Sequence, residues 1–202
     1  MSDDLQPELL FGIPVWDNTI DIDEELRSYL TTEYSILAEN TPGAPKFEAQ
    51  GWMSENIKYE KPLVATKDTK LHELVSQQVL KNITAGYQNR MQLELSSYVI
   101  NVNSGGSYIK KNMFPGRALF TTTYFLTAPD PDAHFVFYNG YPYVKEFMDT
   151  LQAEDYSLTH PVVHYEPRVG RCITHPSWLP TSMLPGTTTD KRITIDFHFR
   201  SI

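Results

Sequence analysis

The stretch Arg192-Ile193-Thr194-Ile195-Asp196-Phe197-His198-Phe199 decides the fold. Its residues alternate without a break. Ile193, Ile195, Phe197 and Phe199 point to one side of a strand, and Arg192, Thr194, Asp196 and His198 to the other. A one-residue slip in pairing would exchange the two faces, so the register of such a strand is strongly specified. The apolar face needs a covering layer. If helices supply it, the polar face looks into a sandwich, and an inward arginine must be paired because an unpaired buried charge costs several kcal/mol. Asp196 stands four residues along the same strand, too distant to serve. The partner is then a carboxylate on a facing strand or an acidic ligand.

Working outward, residues 93–103, 118–126, 134–138 and 171–174 are also rich in β-branched and aromatic residues. Gly, Pro, Asp and Asn clusters separate them. Two segments nearer the start keep helical spacing. Ile22, Leu26, Tyr29, Leu30 and Leu37 form one stripe over 21–39, with Asp21 and Glu24 spaced as a capping box. Leu71, Val75, Val79, Ile83 and Tyr87 form the other over 69–90, where His72 is expected to face solvent. Helices followed by short strands predict a mainly β, α+β chain: a sandwich or jelly roll with N-terminal helices. Residues 1–202 are read as one domain, with 1–91 as a helical buttress and 92–202 as the jelly-roll core. Val144, Phe147, Met148 and Leu151 after Pro142 predict a helical insertion near 140–165.

The 202 residues carry 17 Lys and Arg against 25 Asp and Glu, a formal charge of −8, and no basic run beyond Lys110-Lys111. That argues against a nucleic-acid partner. The longest apolar runs are a few residues, far below the roughly 20 that span a bilayer, so no membrane role is expected. Cys172 is the single cysteine, which excludes an internal disulfide. Met1-Ser2-Asp3-Asp4 lacks the basic flank of a secretory signal. The expected location is the cytoplasm, or a virion if the protein is phage-encoded.

The common catalytic templates are missing: G-x-S-x-G, H-E-x-x-H, the phosphate-binding G-x-x-x-x-G-K-[ST] and G-x-G-x-x-G. Asn103-Ser104-Gly105-Gly106-Ser107 reads as a hairpin turn, and Pro129-Asp130-Pro131-Asp132 as a rigid acidic strand connection. His160 and His164 flank Pro161-Val162-Val163, an extended spacer that holds the rings roughly 13 Å apart, too far to share an ion. Asn82-Ile83-Thr84 is a formal glycosylation sequon inside a predicted helix. Twelve Tyr, ten Phe and three Trp suit either a tyrosine-rich core or an aromatic interface.

The order of segments resembles the 2-oxoglutarate/Fe(II) oxygenases of bacteria and tailed phages. The segments are Leu10 to Trp16, Gly51-Trp52-Met53-Ser54, Asn101-Val102-Asn103, Gly106-Ser107-Tyr108, Phe114-Pro115 through Leu126, and Pro167 to Gly170. The most specific part is the end: His175-Pro176-Ser177-Trp178-Leu179, Pro185-Gly186, then Arg192 to Phe197. The resemblance implies a double-stranded β-helix, with Fe(II) held by two histidines and a carboxylate. It places Asn112 and Phe114 where the family's H-x-H-P imidazoles stand, Asn139 at a further acidic position, and Thr181 at the distal histidine. Asn and Thr are weak neutral ligands and Phe is none, so these positions are expected to hold no metal. Arg192 matches the arginine that binds the 2-oxoglutarate C5 carboxylate.

These readings lead to a non-catalytic pseudo-oxygenase that takes no cofactor and serves as a binding or assembly module. It would work with a protein partner or as a homo-oligomer, and as a structural component if phage-encoded. The alternative is an active hydroxylase using Fe(II) and 2-oxoglutarate, with ligands drawn from His134, His175 and His198 converging near Arg192. A second alternative is a metal-free small-acid or sugar binder, its pocket floored by Arg192 and lined by Tyr108, Asn101 or Tyr124.

Overall fold

A computed structural model describes residues 8–10, 13–43, 51–55, 57–58, 67–87, 91–104, 106–107, 109–112, 118–139 and 162–202. Strands β1 (Glu8–Leu10) and β2 (Ile13–Thr19) lead into helix α1 (Glu24–Asn40). Short strands β3 (Trp52–Met53) and β4 (Ile57–Lys58) precede helix α2 (Lys67–Gly86). Then follow β5 (Leu93–Asn103), β6 (Ile109–Asn112), β7 (Phe120–Phe125), β8 (Phe135–Tyr138), β9 (Val162–Tyr165), β10 (Arg171–Pro176), β11 (Thr181–Met183) and β12 (Arg192–Ser201). The larger sheet runs β1-β2-β10-β7-β12-β5-β3 with β4 beside β5, and the smaller runs β6-β11-β8-β9. Successive strands from β5 onward mostly alternate between the sheets, and every pairing among the described residues is antiparallel. This is the expected mainly β, α+β architecture, a double-stranded β-helix.

β12 sits in the middle of the larger sheet, and its alternation sets two cores. Ile193, Ile195, Phe197 and Phe199 are fully buried beneath α1 and α2, against Leu26, Leu30, Leu71, Val75 and Val79. Each such side chain contributes roughly 1.5–3 kcal/mol on burial, and together they fix the register. The opposite face looks into the space between the sheets. Phe125, Phe135, Phe137, Ile173, Leu179 and Met183 fill one half of that space. The polar residues of β12 occupy the other half.

Several local expectations are corrected. The cap of α1 is Asp23, whose carboxylate accepts from Leu26 N at 2.8 Å, not Asp21. His72 is 1 % exposed, because α2 lies flat on the sheet and presses the ring between Tyr98 and Phe197, at centroid distances of 4.4 and 5.3 Å. Asn82 is fully buried and donates to Asn18 Oδ1 at 2.5 Å, so the sequon is closed to modification. The 103–107 turn is not a hairpin: β5 and β6 belong to different sheets, and the turn carries the chain between them. Gly106 there has φ of 72°, which glycine adopts without strain. The helix expected after Pro142 lies outside the described residues.

Candidate ligand-binding site

On the inner face of the larger sheet, register places side chains in rows. Arg192 stands opposite Asn103, Thr194 opposite Asn101, and His198 opposite Thr121, which is itself opposite His175. The rows therefore run from an arginine end to a histidine end. Six residues separate Arg192 from His198, roughly 20 Å along the strand.

At the arginine end, Arg192 is 4 % exposed. Its Nη1 donates to the carbonyls of Ala133 at 3.1 Å and Leu184 at 3.3 Å, while its buried Nε–H has no partner. Burial lowers its pKa to about 10, partly offset by the negative charge of Asp130. Asn103 beside it is 2 % exposed, and both amide atoms are without a partner. Both residues line a small, open depression with Ser104, Ser107, Asp130, Thr188 and Asp190. Asp130 is fixed by its surroundings. One carboxylate oxygen accepts from Asp132 N at 3.0 Å; the other accepts from Thr187 N, Thr187 Oγ1 and Thr188 N. Those bonds hold its pKa at about 2.

Further in, Asp196 accepts from Thr123 Oγ1 at 2.6 Å and from Asn101 Nδ2 at 2.8 Å. Burial nevertheless pushes its pKa up to about 6. At the histidine end, His175 is fully buried, with Nδ1 at 2.9 Å from the Pro176 carbonyl. A backbone carbonyl only accepts, so Nδ1 carries the proton. Nε2 is left as an unpartnered acceptor. Burial lowers the pKa of both His175 and His198 to about 4, so both rings are neutral near pH 7.

The residues singled out from sequence separate clearly. Arg192 lines the cleft, while Asn101 lies two residues from Asn103 on the same face and turns toward Asp196. Tyr124 is corrected. It stands on the helix side of β7, buried and donating to the Ile20 carbonyl at 3.2 Å, so it forms no wall of this cleft. Asn103, missed from sequence, takes its place beside the arginine; its parity with Asn101 was the available signal. Tyr108, Phe114 and the side chain of Asn112 lie outside the described residues. The backbone of Asn112 pairs with Thr181, and Thr181 pairs in turn with Phe137, two residues before Asn139. Two positions transferred as substituted metal ligands, Asn112 and Thr181, thus sit on adjacent strands of the smaller sheet, and Asn139 follows directly after β8. His134 is corrected as a partner of the inner histidines: its Nδ1 lies 3.4 Å from that of His164 in an exposed pair on β8 and β9. His175 and His198 share a row, but at the end remote from Arg192.

No family model matches the chain, and no curated protein matches it. Solved structures do. A prolyl-4-hydroxylase from Pseudomonas putida aligns with TM-score 0.62 at 14 % identity, covering 92 % of this chain and 91 % of that one. A 2OG-Fe(II) oxygenase family oxidoreductase from Burkholderia pseudomallei aligns with TM-score 0.58 at 13 % identity, over 94 % and 84 %. The viral collagen prolyl hydroxylase of Paramecium bursaria Chlorella virus-1, solved with 2OG, aligns with TM-score 0.57 at 10 % identity, over 92 % and 96 %. The chain has the fold of the 2-oxoglutarate/Fe(II) oxygenases. The expectation of a chain without cofactors is thereby corrected, because the proteins that share its fold point to Fe(II) and 2-oxoglutarate.

The two cofactors meet different residues here. An arginine with a free Nε–H suits a carboxylate such as those of 2-oxoglutarate. For Fe(II), the transferred positions offer the amides of Asn112 and Asn139, the hydroxyl of Thr181 and the ring of Phe114. That set does not fit a centre of two histidines and a carboxylate. Among the described residues, no three His, Cys, Asp or Glu side chains come together as a metal site.

Proposed function

We propose that this protein is a non-catalytic member of the oxygenase fold that binds a small organic acid at Arg192. The Arg192 guanidinium carries the reading. It is buried, its hydrogen bonds run to two neutral carbonyls, and its Nε–H faces no acceptor. A carboxylate would supply both the missing acceptor and the missing charge. 2-Oxoglutarate is the first ligand to test, because a protein of the same fold was solved with it. The non-catalytic half of the reading rests on Asn112, Phe114, Asn139 and Thr181, which cannot supply the imidazoles or carboxylate that position Fe(II).

One observation favours a second reading, an active hydroxylase with relocated ligands. His175 keeps a buried, unpartnered Nε2 on the inner face, in the same row as His198. Thermal unfolding with 2-oxoglutarate and with Mn(II) or Fe(II), separately and together, distinguishes the two. A ligand at a hundred times its Kd adds about 2.7 kcal/mol, a rise of roughly 5–10 °C for a chain of this size. The proposal expects a rise with the acid alone, lost in Arg192→Met. A rise that requires the metal favours the hydroxylase, and no rise under any condition rejects both readings.

A further inference from the structure

We infer that His134 and His164 together bind a divalent transition-metal ion, with Zn(II) the best match, on the outer face of the smaller sheet. The inference does not rest on the small-acid reading. β9 pairs with β8 so that His164 stands opposite Val136. Val163 and Tyr165, on either side of His164, pack into the core between the sheets, so His164 itself points outward. His134 immediately precedes β8. Its N–H donates to the Asp132 carbonyl at 2.8 Å, and its carbonyl accepts from Leu184 N at 2.9 Å. Both backbones are therefore fixed, and the two rings meet on that outer face, His164 exposed and His134 half-buried.

The geometry of the pair suits a shared ion. The ring centroids are 5.5 Å apart and the two Nδ1 atoms 3.4 Å apart, so the rings face each other with their Nδ1 edges. A hydrogen bond of that length is long, since N–H donors usually come within about 3.2 Å of their acceptors. Two nitrogens that each lie about 2.0–2.1 Å from one tetrahedral zinc ion are separated by roughly 3.3–3.4 Å. Neighbouring ligands of a square-planar or octahedral ion at the same bond length would sit closer, at roughly 2.9 Å. With the proton of each ring on Nε2, both Nδ1 lone pairs are free for the ion. Imidazole suits zinc, copper and nickel, and not magnesium or calcium. Glu166 lies near His134, but its carboxylate is held by Arg168 at 2.7 Å. The chain thus supplies two ligands, in keeping with the lack of any three-residue group among the described residues, and water takes the other positions.

Titration calorimetry of zinc chloride into the intact, chelator-treated chain is expected to show one saturable site per chain. His134→Gln and His164→Gln should each weaken it about tenfold or more, because losing even a residue that only supports a metal ligand costs about 10–100-fold. Both positions reach solvent, so the metal-free variants should unfold at the Tm of the parent. The same variants, carried through the unfolding assay above, separate this pair from a metal held between the sheets. Absence of a saturable zinc site in the parent overturns the inference. So does an affinity unchanged in either variant at an unchanged metal-free Tm, since the ion then sits elsewhere.

Discussion

Asp196→Asn should stabilise this protein at neutral pH, although it alters a buried residue with two hydrogen bonds. The Asp196 carboxylate is 7 % exposed and receives hydrogen bonds from Thr123 and Asn101, which favour the anion. Burial outweighs them and raises the pKa from 3.8 to about 6. Between those values the native protein binds a proton that the unfolded chain has released. The stability due to that proton is complete below pH 3.8 and is lost as pH rises through about 6. At 1.36 kcal/mol per unit, the buried anion costs about 3 kcal/mol above pH 6. An amide of the same shape removes that cost. It can still accept from Thr123, and its NH₂ can donate to Asn101 Oδ1, which has no partner now. Urea unfolding at pH 7.5 should therefore move to a higher midpoint, by up to about 1.5 M at an m-value of about 2 kcal/mol/M. At pH 4 the variant and the parent should nearly coincide. Lower stability of the variant at pH 7.5, or the same gain at both pH values, would refute this electrostatic account.

Burial holds His72, His175 and His198 at about 4 from the ordinary 6.5, so their contribution is present above pH 6.5 and lost as pH falls toward 4. Each can cost up to about 3 kcal/mol, more in sum than Asp196 regains, so urea midpoints should drop between pH 6.5 and 4.5; a flat profile would contradict the three buried neutral rings. Arg171 is bonded to Asp17 through Nε at 2.9 Å and through Nη2, and stacks 4.8 Å over Tyr165. Arg171→Met should cost about 2–3 kcal/mol in denaturant unfolding, and less when Asp17→Asn accompanies it, because the lone carboxylate is then no longer stranded. Gly86→Ala should destabilise by about 1 kcal/mol despite the better helix former, since its Cβ would lie 2.8 Å from Trp16 Cζ2; a higher Tm would show that the indole moves aside.

The long strands were legible because alternation and length coincide. They mark residues 93–103 and 192–200 almost to their ends, and the inward aim of Arg192 follows from parity once helices cover the apolar face. β11 was not legible, because Thr181-Ser182-Met183 carries no apolar pattern and becomes a strand only through β6 and β8 on either side. The wall on which Tyr124 stands is hidden in the sequence for a related reason. Phe120-Thr121-Thr122-Thr123-Tyr124-Phe125 has hydroxyls on both faces and every residue is buried, so its parity carried no polarity signal. The cleft draws on chain segments near 103–107, 129–133 and 186–192, and no local motif joins them. Only the crossing between sheets does. His72 looked exposed because it adjoins Glu73, yet α2 buries a stripe wide enough to include Leu71, His72 and Val75 together.

The most direct test of the small-acid reading is calorimetric titration of 2-oxoglutarate into the wild-type chain and into Arg192→Met, beside an assay of 2-oxoglutarate consumption with Fe(II) and oxygen. The account predicts saturable binding of the acid to the wild type, loss of it in Arg192→Met, and no consumption above the protein-free control. Consumption that depends on the protein, or binding that survives the loss of Arg192, would contradict it.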